Sequence, residues 1–456
     1  MSDASSTWQT NVYALLCHPD ESQVWMVEDE VGWTLPSLNV EGRIWTPHVR
    51  DVVPLLQERL ERPVTVLRCL YNEERSEAEQ VDIIYELEDH NGARRNLSEA
   101  GTWIGRTNLA DLSLAQPSHK AVIRSYLAEI EEGSVPLLRP PWARRGWLAD
   151  ANTWMRQELV EQDHNLLASI EQVKTWGISC ILRAHTDRGD IYFKVASKLP
   201  LFADEPVLTA TLAARYPGHI PAPLAVESER GWMLLADFGQ ALRGNTQANV
   251  WEETLHLLGK LQLSSTLAVD ALLAAGCLDR RLERLATQVE PLLNDNDALS
   301  YLDAEESQQL RRLGPRLQAM CKELANYKVP PALVHGDFHP GNVAVQEGSY
   351  LFFDWTDACI AHPFFDLVTM KEEASELPDA QEAWSRMRDA YLGLWTKYEP
   401  IERLQEVWEL AEPLGMLHQV ISYQHIVSSL EPSSKRELSG GLVYWTRELL
   451  KALRRP

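Results

Sequence analysis

The stretch Leu333–Asp354, LVHGDFHPGNVAVQEGSYLFFD, constrains this chain more than any other. The apolar pair Leu333 and Val334 leads into a short loop carrying His335, Asp337, His339 and Asn342. A hairpin pattern follows. It runs from Asn342 to Val345, turns around Glu347-Gly348-Ser349, continues through Tyr350-Leu351-Phe352-Phe353 and closes on Asp354. One loop and one hairpin thus bring Asp337, Asn342 and Asp354 together. Phosphoryl transfer needs such a set. An Asp on a rigid loop can orient an attacking hydroxyl and take its proton. An Asn amide oxygen and a second Asp offer hard oxygen ligands to the Mg2+ that bridges nucleotide phosphates. The plainer reading, a polar turn before an ordinary hairpin, suits one isolated Asp or His better than this ordered set between apolar flanks.

At 456 residues the chain is too long for one ordinary domain, and two or three are expected. It carries 43 Lys and Arg against 66 Asp and Glu, a net charge of −23. A field of that sign disfavours nucleic acid and anionic lipid surfaces and would attract a cationic substrate; plain solubility accounts for it equally well. The N-terminus, MSDASSTWQT, has no apolar signal core, and no apolar run approaches the ~18–20 residues that span a bilayer. The six cysteines are scattered without a CxxC pair. They read as buried thiols in a reducing cytosol, and a cytoplasmic protein is expected.

Taken in order, residues 11–32 read strand, Pro/Asp/Ser-rich turn, strand. A segment from Pro47 to Arg59 can form a helix that Pro54 interrupts. Strand-like runs follow at Val64–Tyr71, Val81–Leu87 and Thr102, and then a helix from His119 to Ile130. Residues 133–147 are dense in Pro and Arg and read as a linker, leading into a helix that Asp150 or Asn152 could cap. From Ser169 to Val195 the pattern is strand, tight turn at Trp176-Gly177, strand, hairpin turn, strand. Lys194 sits in the last of these among apolar neighbours, where a buried ammonium needs an anionic partner. Glu205 opens a helical stretch with Asp204 as a possible cap and Pro206 in the first turn. A strand, Gly231 to Ala236, ends in the small-residue segment ADFG. Helical periodicity then dominates to the chain end; the stripes at 250–261, 282–292 and 310–317 are core faces.

HGDFHPGN followed by FFDWTD resembles the catalytic loop and metal-binding Asp of the aminoglycoside phosphotransferase and choline kinase family, protein-kinase-like enzymes that act on small molecules. His335, Gly336, Asp337, His339, Pro340, Asn342 and Asp354 stand where that family's pattern has them, and Asp366 in HPFFDL matches a structural Asp opening a helix. The loop reads HGD rather than HRD and no APE follows, which argues against a dedicated protein kinase. The resemblance implies Asp337 as catalytic base and Asn342 and Asp354 as holders of Mg2+. It implies Lys194, paired with Glu205, on the phosphates of ATP or, alternatively, GTP. The turn Thr175–Ser179 would lie over those phosphates. Ala236 and Phe238 would hold the adenine through their main chain. The DFG at 237–239 lies far ahead of the catalytic loop and cannot supply the metal-binding Asp.

The order of elements in residues 1–132, mixed strands with a helix after a W-x-LP segment, resembles a Nudix domain. Its catalytic glutamates are missing: only Asp51 and Glu58 stand on the corresponding helix. An unrelated α+β domain fits these residues equally well. The expected fold class is α+β, a two-lobed protein-kinase-like fold preceded by a separate α/β Nudix-like domain. The expected domains are 1–132, a linker and helix over 133–165, a β-rich N-lobe over 166–240 and a helical C-lobe over 241–456. The expected reaction is phosphoryl transfer to the hydroxyl of a small molecule such as an aminoglycoside, amino alcohol or sugar. The rival is a non-catalytic pseudokinase serving as a binding or regulatory protein. In the C-terminal part, Asp357, Glu372, Glu373 and Glu376 are acids that could meet a cationic acceptor, and Trp355, Trp384 and Trp395 either pack the core or form an aromatic box.

Overall fold

Strand β1 (Gln9–Leu16) shows why the first part of the chain folds as it does. Val12, Ala14 and Leu16 face one core, Tyr13 and Leu15 the other. This is the period of two in a strand buried on both faces. In the computed structural model, which describes residues 8–91, 101–346 and 348–454, β1 lies inside a sheet of order β4-β1-β6-β5. Strand β4 (Ser37–Glu41) pairs with β1 antiparallel and β6 (Gln80–Asp89) pairs with it parallel, while β5 (Val64–Arg75) closes the other edge. A second sheet, β3-β2-β7, is built from β2 (Gln23–Asp29), β3 (Gly32–Thr34) and β7 (Gly101–Gly105). Helix α1 (Val52–Leu60) buries Val52, Val53, Leu56 and Leu60 in the first core. The short α2 (Arg106–Asp111) and α3 (His119–Glu132) put Leu109, Ile123 and Leu127 into the second. Pro54 does not interrupt α1. The helix starts at Val52, so Pro54 lies in its first turn, where a missing N–H has no intrahelical partner to lose.

Helix α4 (Trp147–Glu161) starts from Gly146 in the left-handed region, and no side chain caps it; Asp150 sits inside the first turn instead. Strands β8 (Glu171–Thr175), β9 (Ser179–Thr186) and β10 (Gly189–Ala196) follow in spatial order β10-β9-β8. Residues 1–195 and 430–435 form one compact unit, and residues 196–429 with 436–456 form a second. The division falls inside the stretch 166–240.

The second unit opens with α5 (Glu205–Arg215) and the antiparallel pair β11 (Ala225–Glu227) and β12 (Trp232–Ala236). Strand β13 (Gln240–Ala241) precedes helices α6 (Ala248–Ser265) and α7 (Val269–Ala274), β14 (Leu278–Asp279), and helices α8 (Leu282–Asn294), α9 (Asn296–Leu299) and α10 (Ala304–Leu324). Four short strands then frame the polar loop: β15 (Ala332–Val334), β16 (Val343–Gln346), β17 (Ser349–Phe352) and β18 (Cys359–Ala361). Glu347, at the expected hairpin turn, lies outside the described residues. The chain ends in α11 (Asp366–Ala374), α12 (Ala380–Gly393), α13 (Ile401–Ser428) and α14 (Pro432–Arg454). A single apolar core runs through the helices and short strands of this unit, so its leucine stripes are core faces. No helix among the described residues is long and apolar enough to cross a membrane. All six cysteines are free thiols; four are buried, but Cys17 and Cys69 are only half-buried.

Candidate active site

Strand β15 is fully buried and pairs with β18, so the chain leaves the core at His335 in a fixed direction. Asp366, the first residue of α11, then takes hold of it. Its Oδ2 accepts from His335 N–H and its Oδ1 from Gly336 N–H, each at 2.9 Å. Gln262 Nε2 donates to the same carboxylate at 2.9 Å, and Tyr391 OH donates to Gln262 Oε1. Burial pushes the Asp366 pKa up to about 7, and these N–H donors pull against it. The His335 ring is buried, and its Nε2 donates to Phe353 O at 2.9 Å, tying the loop to the end of β17. Burial holds this imidazole below its ordinary pKa, hence neutral. The ring lies against Trp355, centroids 4.6 Å apart.

Beyond Gly336 the loop organises its own polar groups. Asn342 Nδ2 donates to Asp337 O at 2.9 Å and to Asp337 Oδ2 at 3.2 Å. The Asn342 amide nitrogen is thereby tied to Asp337. Thr369 Oγ1 donates to Phe338 O at 2.7 Å. Phe353 N–H donates to Asn342 O at 3.1 Å, which places Asp354 next to Asn342 at the end of the hairpin. Asp354 adopts φ +65°, a left-handed conformation that costs a non-glycine residue on the order of 1–3 kcal/mol. Thr356 Oγ1 donates to its Oδ1 at 2.9 Å. The Asp337 side chain is 46% exposed, and His339 Nε2 lies 3.5 Å from its Oδ2. Burial raises the Asp337 pKa, but the hydrogen bond and charge of His339, helped by His335, outweigh it and leave the carboxyl below its ordinary value.

This donor set fits Mg2+ in kind: one amide oxygen and one carboxylate, both hard oxygens. Among the described residues no group of three or more His, Cys, Asp or Glu forms a metal cage. The remaining positions would therefore fall to nucleotide oxygens and water, the habit of this ion.

The other expected site residues are placed as follows. Ala236 ends β12, exposed, and the Phe238 ring packs on Phe353 at 5.0 Å. The chain then enters β13, which pairs with β16 in the register Gln240 opposite Val345. Glu205 opens α5 and is 2% exposed; nearby Ala203 N–H donates to Thr356 O at 2.8 Å. Asp204 gives α5 no side-chain cap. Lys194 on β10, 9% exposed, and Ser179 at the start of β9 belong to the first unit.

Three residues escaped the sequence reading. Gln262 and Thr369 brace the loop as described, and Gln419 Nε2 donates to Gly336 O at 2.6 Å. The available signal was a buried amide inside an apolar helical stripe. His418, on the same helix as Gln419, accepts from a fully buried Arg280 at 2.8 Å and lies in the core. Trp355, Trp384 and Trp395 are all buried in the core, so they do not form an aromatic box. Glu372, Glu373 and Glu376 are exposed. The Tyr423 phenol is raised by burial and, to a lesser extent, by the charges of Asp337 and Asp357.

Residues 183–405 match the model of the phosphotransferase enzyme family. No curated protein matches the sequence. Among solved structures, the choline kinase LicA from Streptococcus pneumoniae is similar at 14% identity, covering 67% of this chain and 99% of its own, with a TM-score of 0.48. An ethanolamine kinase from Plasmodium vivax is similar at 12% identity, covering 77% and 98%, with a TM-score of 0.47. A choline/ethanolamine kinase family protein from Mesorhizobium loti is similar at 16% identity, covering 67% and 99%, with a TM-score of 0.45. These comparisons do not confirm the Nudix-like reading of residues 1–132.

Proposed function

We propose, from the match of residues 183–405 to the phosphotransferase enzyme family model, that this chain transfers the γ-phosphoryl group of ATP to a hydroxyl of a small molecule. The observation that carries the proposal is the Asp337–Asn342 arrangement. A half-exposed carboxylate is held below its ordinary pKa and oriented by an amide on a loop anchored from behind by Asp366. Asp337 accepts a hydrogen bond from the acceptor hydroxyl, aims its oxygen at the γ-phosphorus and takes its proton as the new O–P bond forms and ADP leaves. Lys194 grips the phosphates, and Glu205 keeps the acidic role that the family resemblance implies. Ala236 and Phe238 present their main chain to the adenine. Asn342 and Asp354 would hold Mg2+, which when bound neutralises phosphate charge. His335 and His339 act on the loop and not on the metal, since Mg2+ prefers oxygen. A cationic amino alcohol is the acceptor class that the net charge of −23 favours.

The test is ADP release from Mg-ATP, with Mg-GTP alongside, by wild type and Asp337→Asn. The acceptor panel holds aminoglycosides, choline-like amines, amino alcohols and sugars. Acceptor-dependent release that Asp337→Asn loses, with nucleotide affinity retained, is the expected result. Equal turnover by the variant removes Asp337 from its role.

A further inference from the structure

The turn between β8 and β9, residues 176–178, is the part of the first unit that the proposed reaction sets over the nucleotide phosphates. It contains a single glycine, Gly177, so it lacks the backbone freedom by which a glycine-rich turn moulds itself to a phosphate. The turn is instead held from outside the hairpin by three separate stretches of the same unit.

The N-terminal domain supplies the first hold. Thr175 N–H donates to Pro47 O at 2.9 Å, and Val49 N–H donates to Val173 O at 3.2 Å. The Gln172 amide bonds both the N–H and the C=O of Val66, at 2.9 and 2.6 Å. The Lys174 ammonium lies 4.0 Å from the Trp176 ring centroid and 4.9 Å from that of Trp45, and the two indoles meet edge to face at 5.3 Å. The second hold comes from the segment between α3 and α4, where the Trp142 indole N–H donates to Trp176 O at 2.7 Å. The third is residues 430–435. Leu430 and Ser434 close over Gly177 so tightly that a Cβ there would stand 2.9 Å from each. That segment is itself anchored by a buried ionic network. Arg139 Nε donates to both oxygens of Glu431 at 2.7 Å, and Arg139 Nη2 to Glu129 at 2.9 Å. Arg68 joins Glu86 at 2.6 Å and Glu129 at 2.7 Å. Within the turn, the Trp176 indole donates to Ser179 Oγ at 2.6 Å.

We propose that the N-terminal domain is a brace for the phosphate turn, and that Trp45, Trp142 and Gly177 are positioning residues for the nucleotide. This rests on the phosphotransferase reading above. The physical reason is preorganisation: a turn already fixed loses no conformational freedom when a nucleotide binds, so its donors contribute fully to affinity. On this reading, the turn cannot hold its shape without the N-terminal domain.

Three substitutions in the full chain test the proposal by calorimetric Mg-ATP binding and steady-state kinetics. Trp142→Phe keeps an aromatic ring and removes the donor to Trp176 O. Nucleotide Kd and KM rise about three- to tenfold, the scale of one lost hydrogen bond, while acceptor KM is unchanged. Gly177→Ala displaces Leu430 and Ser434 and moves nucleotide KM in the same direction. Trp45→Ala does likewise, and Trp45→Phe restores most of the loss by restoring the stack. A purely structural role would lower the melting temperature without separating the two KM values. The brace is overturned if Trp142→Phe and Gly177→Ala bind Mg-ATP as wild type does while Lys194→Ala abolishes binding; the phosphotransferase reading then stands. If wild type binds no Mg-ATP, both fall together.

Discussion

His339 is held in one tautomer by its own loop. Gly341 N–H donates to Nδ1 at 3.0 Å, so in the neutral ring the proton sits on Nε2, the atom that faces Asp337 Oδ2. Burial lowers the His339 pKa, yet its hydrogen bond to Asp337 and that charge outweigh burial and raise it, with Glu373 adding in the same sense. The same interaction lowers Asp337, so each group favours the charged form of the other, while the bond from Gly341 N–H to Nδ1 favours the neutral ring. A base must be ionised to work, so activity falls on the acid side as Asp337 takes up a proton. In His339→Gln the carboxylate loses the imidazole whose hydrogen bond and charge lower it, and its pKa rises. The acid limb of the kcat/KM profile therefore moves to higher pH, while turnover well above that limb is largely kept. A profile in which the limb stays in place would show that His339 does not tune the base.

The loop from His335 to Asn342 behaves as one element because three separate parts of the second unit grip its backbone. At Gly336 alone, Asp366 accepts the N–H, Gln419 donates to the carbonyl, and Asp357 packs against the α-carbon. Gly336 has φ +86°, and an added Cβ would stand 2.8 Å from the Cβ of Asp357, with the Asp357 carbonyl oxygen closer still. Gly336→Ala must therefore shift the residue next to Asp337. A displacement of about 1 Å at the reacting group can cost on the order of 10²-fold in rate, so kcat is expected to fall by that scale. Nucleotide Kd, measured separately by calorimetry, should change little. A variant with near-wild-type kcat would mean that the loop tolerates the shift. This element was largely legible in the sequence, because its strands, turn and polar loop are encoded within a few residues of one another. The start of α1 was not, since a proline reads as an interruption until the helix is seen to begin two residues before it. Nor were the grips on the loop: Gln419 and Gly336 are 83 residues apart, and neither periodicity nor propensity names a partner at that distance. The brace around residues 176–178 escaped for the same reason, with Gln172 and Val66 separated by 106 residues and Arg139 and Glu431 by 292.

At the scale of the whole molecule, several buried titratable side chains make stability depend on pH. In the second unit His335, His362 and His418 are buried, and burial lowers all three pKa values, that of His362 to about 3. For His418 the neighbouring Arg280 charge adds to the effect. Below the ordinary histidine value of 6.5 the unfolded chain takes up protons on these residues that the folded chain refuses. Stability from this source is therefore complete above 6.5 and is lost as pH falls. Asp366 works in the opposite sense, because burial raises its folded pKa to about 7 from 3.8, and the folded state holds its proton across that window. Burial of the histidines therefore makes stability fall as pH drops below 6.5, and Asp366 offsets part of that loss. The urea midpoint should fall markedly between pH 7 and pH 5. His362→Asn can keep the acceptor that meets Phe364 N–H and cannot titrate. It should lower stability at pH 7 through lost packing and flatten the acid slope by up to about 1.4 kcal/mol per unit. If the slope of the variant equals that of wild type, His362 is not the buried neutral imidazole that its surroundings require, and the acid sensitivity must come from the other histidines.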